Sequence, residues 1–127
     1  MQKVRGGMIQ PSALAEAVID SGVKGSIYYL GLNQKNEFLS KPEVRQAMKY
    51  LVDYATIADT IMKGKVNVHQ AFLPLGFLGA LEDTPFSLNI EKAKELLAAA
   101  GLPDGFSVTM DTRNTPEITG IAEAIQQ

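Results

Sequence analysis

Apolar residues recur at Val44, Ala47, Met48, Leu51, Val52 and Ala55, the three-and-four spacing of an amphipathic helix. Just upstream, Ser40-Lys41-Pro42-Glu43 reads as a capping box. The Ser40 hydroxyl would take the N3 amide, the Glu43 carboxylate would reach back, and Pro42 is harmless in the first turn. Asp53 stands where that helix can stop and a second, over residues 54–62, can be N-capped, with Gly64 closing it. Asn89 is placed to cap a helix from Ile90 to Ala100, with Ala93, Leu96, Leu97 and Ala100 on one face. Gly101 then falls at C′ and Leu102 at C″, where it can touch Leu97, and Pro103 prevents continuation. A last helix begins at Pro116 and is striped by Ile118, Ile121, Ala122 and Ile125. Near the start, Ser12 can cap a short helix over residues 13–20 that Gly22 ends.

Two stretches carry a strand pattern. Ile27 to Leu32 is a continuous β-branched, aromatic and aliphatic run, as in a central strand covered on both faces. In Phe106, Val108 and Met110 apolar residues alternate with polar ones, as in a strand with one face against helices. Between these, residues 65–88 lose all periodicity, and Pro74, Gly76, Gly79 and Pro85 interrupt them. Phe72, Leu73, Leu75, Phe77, Leu78 and Leu81 are too apolar for a solvated loop and must meet the core, a ligand or a partner surface. The alternation of helices with two strands predicts an α/β fold with too few strands for a complete sheet. The expectation is therefore a single truncated domain over residues 1–127, the missing strands lying elsewhere.

Composition narrows the chemistry. The 127 residues hold 12 Lys+Arg and 14 Asp+Glu, a formal charge of −2 with no basic run, which argues against a nucleic-acid partner. With 0 Cys and 1 His, thiolate metal sites, disulfides and His-based dyads are all excluded, so no cofactor and no enzymatic activity are expected. His69 and the adjacent Glu82 and Asp83 read as loop polar residues. Arg45 reads as satisfying carbonyls or a carboxylate within the fold. Arg113 and Asn114 differ: they follow the carboxyl end of a predicted strand and precede a helix N-terminus, where open α/β sheets expose ligand-binding groups. A solvated turn with Arg113 paired to Asp111 or Glu117 is the plain alternative.

Three stretches in order carry a resemblance. They are Gly25-Ser-Ile-Tyr-Tyr-Leu-Gly-Leu-Asn33, then Pro42-Glu-Val-Arg-Gln-Ala-Met-Lys-Tyr-Leu-Val-Asp53 with Ile57 and Gly64, then Asn89-Ile-Glu-Lys-Ala-Lys-Glu-Leu-Leu-Ala-Ala-Ala-Gly-Leu-Pro-Asp-Gly-Phe106. Together they resemble the oligopeptide, dipeptide and nickel class of ABC-transporter solute-binding proteins, extracellular solute-binding protein family 5. The chain departs from that pattern in lacking a Pro-Phe within 36–40 and in carrying Tyr54 where Arg is common.

The resemblance implies a truncated lobe of a type II periplasmic-binding-protein-like fold, part of the C-terminal lobe. Residues 25–127 would be the family-like region, with 1–24 a leader helix and linker. It implies capture of a peptide or similar small solute, hinge closure against the remaining lobe of the same protein, and delivery to the membrane subunits of an ABC permease. It also implies a periplasmic or cell-surface location, although no signal peptide is legible in the chain. The turn after the Gly105-Phe106 strand would face the cleft, making Thr112, Arg113, Asn114 and Thr119 candidate ligand-binding residues, with Lys63 toward the same region. The rival reading is a free-standing interaction module docking through the apolar 71–81 loop, and either reading allows self-association of the fragment.

Overall fold

The computed structural model describes Gly22 and residues 24–127, so the helix expected over residues 13–20 lies outside the described residues. The elements are α1 (Pro42–Tyr50), α2 (Tyr54–Thr56), a π-helical turn Ile57–Ile61 that continues α2, α3 (Ile90–Ala99) and α4 (Pro116–Gln126).

The start of α1 is set by a proline constraint. Lys41 is the N-cap, with φ −78° and ψ 125°, and no side chain caps it. Had Ser40 been the cap, Lys41 would have had to be helical directly before Pro42, a conformation that the proline ring disfavours. The expected capping box is therefore not formed, and the Ser40 hydroxyl instead donates to the Glu37 carbonyl at 3.0 Å. Asn36 does the local capping: its Oδ1 accepts from the amides of Phe38 and Leu39 at 2.9 and 3.1 Å. Arg45 reaches back to donate to the carbonyls of Leu39 and Ser40 at 3.0 and 2.7 Å, the structural role its position suggested.

The other helix ends follow the sequence. Asp53 caps α2, its carboxylate accepting from the Thr56 amide at 3.1 Å and the Thr56 hydroxyl at 2.7 Å. These bonds, the hydroxyl's first, hold the Asp53 carboxyl below its ordinary pKa against a small opposing effect of desolvation. Asn89 caps α3 by accepting from the Lys92 amide at 2.9 Å. At the far end the Leu102 amide donates to Leu97 O at 2.9 Å and the Gly101 amide to Ala98 O at 3.0 Å. With Gly101 at φ 78°, this is a complete Schellman motif.

Helices α1 and α3 form the main packed pair. Val44 and Ala47 from α1 and Ala93 from α3 are all 0% exposed, and the two alanines let the backbones come close. Hydrogen bonds tie the pair at both ends: Lys41 Nζ donates to Ala100 O at 2.8 Å, and the Asn89 amide donates to Tyr50 O at 2.8 Å. The two helices are thus antiparallel. A smaller focus lies under the π turn, where Ala58 and Met62 are buried and α4 packs alongside.

Residues 65–88 are irregular as expected, but anchored. The Gln70 side chain donates through Nε2 to Phe86 O at 2.7 Å and accepts through Oε1 from the Phe86 amide at 2.8 Å, imitating a strand partner. The Phe86 ring meets Tyr50 edge-on at 5.3 Å between centroids, under the Lys49 ammonium at 4.6 Å. Turns at Gly76 and Gly79, with φ 90° and 83°, carry the apolar residues outward. Phe72 is 88% exposed and Leu78 102%, while the Phe77 ring lies over Gly25, where a Cβ would come within 2.6 Å of it.

The strand expectations are corrected. Among the described residues there is no strand: residues 27–32 and 106–110 run outside helix and sheet, and Tyr28, Tyr29 and Leu30 are exposed rather than covered on both faces. A strand is held by a hydrogen-bonded ladder to a neighbour, and no described segment supplies one. Phe106 stacks on Phe38 instead, with centroids 5.4 Å apart.

Gly101→Ala, forcing a side chain into a left-handed backbone, should lower the stability of the chain by about 1 kcal/mol or more in urea denaturation. Asn89→Ala should lower it by about 1 kcal/mol through loss of the cap.

The Asp53 pKa is depressed by folding, so its contribution to stability is present above the unfolded carboxyl pKa and is lost as pH falls through the folded value. Melting temperature against pH should accordingly drop in the acid carboxylate range, and Asp53→Asn should flatten that part of the curve.

Candidate functional site

Past the π turn the chain reverses sharply. Lys63 and Gly64 are both left-handed, with φ 52° and 67°. The reversal is held by the Met62 amide donating to Ile57 O at 3.0 Å, Gly64 to Ala58 O at 2.9 Å and Lys65 to Met62 O at 3.0 Å. This leaves Lys63 and Lys65 exposed on a lip above buried Met62.

Across from the lip is the start of α4. The Thr115 amide donates to Arg113 O at 2.9 Å and the Thr119 amide to Thr115 O at 2.9 Å, turning the chain from the Thr112–Asn114 segment into the helix. Ile61, Met62, Lys63 and Lys65 on one side, and Pro116 and Glu117 on the other, line an open cleft of about 260 Å³.

The structure thus brings Lys63 to the beginning of α4. Thr112, Arg113 and Asn114 are exposed in the turn that precedes it, and Thr119 is half-buried within it. The Thr112 hydroxyl only approaches Arg113 O, at 3.4 Å. The ion pairs among the described residues are Lys92 with Glu95 and Lys94 with Glu91, both within α3. Arg113 is therefore paired with neither Asp111 nor Glu117, and Lys63 and Lys65 face Glu117 across the cleft without a salt bridge to it. The sequence pointed to neither Lys65 nor Glu117 as a cleft residue, Glu117 entering only as a possible partner of Arg113. The signal for Lys65 was its place one residue beyond the helix-ending Gly64, whereas Glu117 becomes visible only when α4 is docked.

A second recess of about 320 Å³ lies between Asp53, Tyr54 and the 84–88 segment. Two of its polar groups are engaged internally: Asp53 caps α2, and the Tyr54 hydroxyl, whose pKa burial pushes up, donates to Lys49 O at 3.0 Å. His69 Nε2 lies 2.6 Å from Leu73 O, a local loop contact. Among the described residues no group of three His, Cys, Asp or Glu could hold a metal, and no helix is long and apolar enough to cross a membrane.

Comparison with known proteins identifies the fold. The sequence profile of the bacterial extracellular solute-binding proteins, family 5 Middle, matches residues 5–127. The glutathione-binding protein GsiB of Salmonella choleraesuis (strain SC-B67) is 29% identical over 82 residues, covering 65% of this chain and 16% of that protein. GsiB of Escherichia coli (strain K12) is 28% identical over 82 residues, with the same shares. Among solved structures, the periplasmic binding protein (PBP) AgaA from A. tumefaciens R10, in complex with agropinic acid, superposes with a TM-score of 0.66 and 39% sequence identity. That match covers 75% of this chain and 20% of AgaA. The chain thus spans about a sixth to a fifth of the length of these relatives. With all but its first residues matched, the chain belongs to the bacterial extracellular solute-binding proteins of family 5, a family of binding proteins and not of enzymes.

Proposed function

We propose that this chain supplies one rim of the solute cleft in a two-lobed, type II-like binding protein that captures a small anionic solute, such as a peptide, outside the membrane and delivers it to an ABC permease. The observation that carries the reading is the convergence of Lys63 and the start of α4 on one open cleft whose lysines have no carboxylate partner among the described residues. Arg113 can donate bidentately to a carboxylate, Asn114 can pair with an amide, and Thr112 and Thr119 offer hydroxyls nearby. Two relatives support a carboxylate-bearing solute: GsiB is named for glutathione and AgaA is bound to agropinic acid. In this reading the α/β character is restored when residues 27–32 and 106–110 pair with strands from the rest of the same lobe. Closure of the lobes around solute then selects the state that the permease recognises.

In the complete protein, Arg113→Ala and Lys63→Ala should each weaken solute affinity by about 1 to 3 kcal/mol, the range for hydrogen bonds to charged groups. Titration calorimetry reads this directly. Unchanged affinity in both variants, with folding intact, places the cleft elsewhere. The chain alone should bind glutathione weakly or not at all, since one rim supplies only part of the contacts and no closure.

A second reading, docking through the 71–81 loop, is favoured by the exposure of Phe72 and Leu78. On that reading, and equally if the loop is normally covered by the rest of the protein, the isolated chain self-associates through the patch. Light scattering should show mass rising with concentration and falling back in Phe72→Ser/Leu78→Ser. A strictly monomeric profile of the parent chain removes the docking reading.

A further inference from the structure

The cleft between the lysine lip and α4 is bounded by two elements that meet at one close contact. Gly120 lies on α4 one turn beyond Pro116 and Glu117, and so on their side of the helix. A Cβ built on Gly120 would stand 3.0 Å from Ile61 Cγ2. Ile61 is itself a wall of the cleft and ends the π turn that leads into Lys63 and Lys65. A methyl group at position 120 would press on Ile61, which must give by a few tenths of an ångström to admit it, and a larger side chain would press harder.

Helix propensity makes this glycine conspicuous. Glycine in a helix interior is less favourable than alanine by roughly 1 kcal/mol, and Gly120 is not among the left-handed glycines of the chain, so no turn requires it. Close approach to Ile61 is the requirement the structure does show. Gly120 is itself half-buried where α4 packs against the π turn.

We propose that Gly120 is a positioning residue: through its contact with Ile61 it sets the separation between Lys63 and Lys65 on one wall of the cleft and Pro116 and Glu117 on the other. The inference deepens the function proposed above and rests on it for its biological meaning, but its geometry can be tested without any solute. Widening this contact moves the lysine ammonium groups away from α4, and with it from the Arg113–Asn114 turn attached to the helix start. A solute spanning both walls would lose contacts on one of them.

The test uses the complete protein with spin labels at Lys65→Cys and Glu117→Cys; these 127 residues hold 0 Cys, and any cysteine elsewhere in the protein is first replaced by serine. The label-to-label distance is compared for Gly120, Gly120→Ala, Gly120→Val, and Gly120→Val combined with Ile61→Ala. Overpacking by the added isopropyl group is relieved by wall displacement, so the mean distance should grow by about 1 to 2 Å in Gly120→Val and less in Gly120→Ala, and return when Ile61 is truncated. An unchanged distance in both single variants, or a shift that persists in the Ile61→Ala combination, overturns the proposal. If Gly120→Val does not fold, the Gly120→Ala pair with and without Ile61→Ala decides the matter on the same criterion. Titration with glutathione as the probe is run on unlabelled proteins that keep Lys65 and Glu117 and carry the same changes at positions 120 and 61. Glutathione binding by the parent that weakens several-fold in Gly120→Val and recovers in the combination supports the positioning role. Distances that respond as expected while glutathione affinity does not change would retain the geometry and overturn the cleft's assignment as the solute site.

Discussion

The close antiparallel packing of α1 on α3 is the constraint on which the other elements depend. Val44, Ala47 and Ala93 are the only fully enclosed side chains among the described residues, and burying the valine alone is worth roughly 1.5 to 3 kcal/mol. The pairing requires small residues at the contact, because alanines at 47 and 93 let the helices approach where larger side chains would hold them apart. Its two end bonds, Lys41 to Ala100 O and the Asn89 amide to Tyr50 O, fix the helices lengthwise as well as laterally. From that fixed pair the rest hangs. The end of α1 delivers the chain into Asp53 and the π turn, and presents Tyr50 and Lys49 to Phe86. Through Gln70 the Phe86 backbone in turn restrains the beginning of the long loop.

What was legible in the sequence divides by the range of the interaction. The caps at Asp53 and Asn89 and the Schellman ending at Gly101 and Leu102 are each closed within a few residues, so the local sequence contains every participating group. The capping box at Ser40 failed for an equally local reason, since the residue before a proline resists the helical conformation and the cap moved to Lys41. Strands are different. The patterns at 27–32 and 106–110 state which residues suit a sheet, but a ladder needs a second segment, and no described residue provides it.

The candidate site shows the same division. Family resemblance drew attention to Lys63 and to the turn from Thr112 to Asn114, and the structure places Lys63 beside the start of the helix that follows that turn. The place of Lys65 and Glu117 in one cleft was not legible because their juxtaposition depends on how closely α4 docks against the π turn. That distance is set by Gly120 and Ile61, residues whose types carry no chemistry of their own. The exposed apolar loop was recognisable from composition, since its residues are too apolar for a loop whichever partner they meet.

The π turn decides where two cations stand. Wide i to i−5 bonding between Met62 and Ile57, followed by two left-handed residues, ends the helix more abruptly than a single glycine could. The first of those residues is Lys63, not glycine, and a left-handed backbone costs a residue with a side chain about 1 to 2 kcal/mol. A helix stop alone does not require that expense, since glycine at 63 would turn the chain without strain. The side chain is what the position retains, and its ammonium shares a cleft with Lys65 and faces the start of α4. Backbone strain of this kind persists where surrounding structure enforces it and often accompanies function. Here the enforcement is visible in the buried Ala58 and Met62 beneath the turn and in α4 packed against Ile61. The same contacts that hold the strained lysine therefore also define the opposite wall of its cleft.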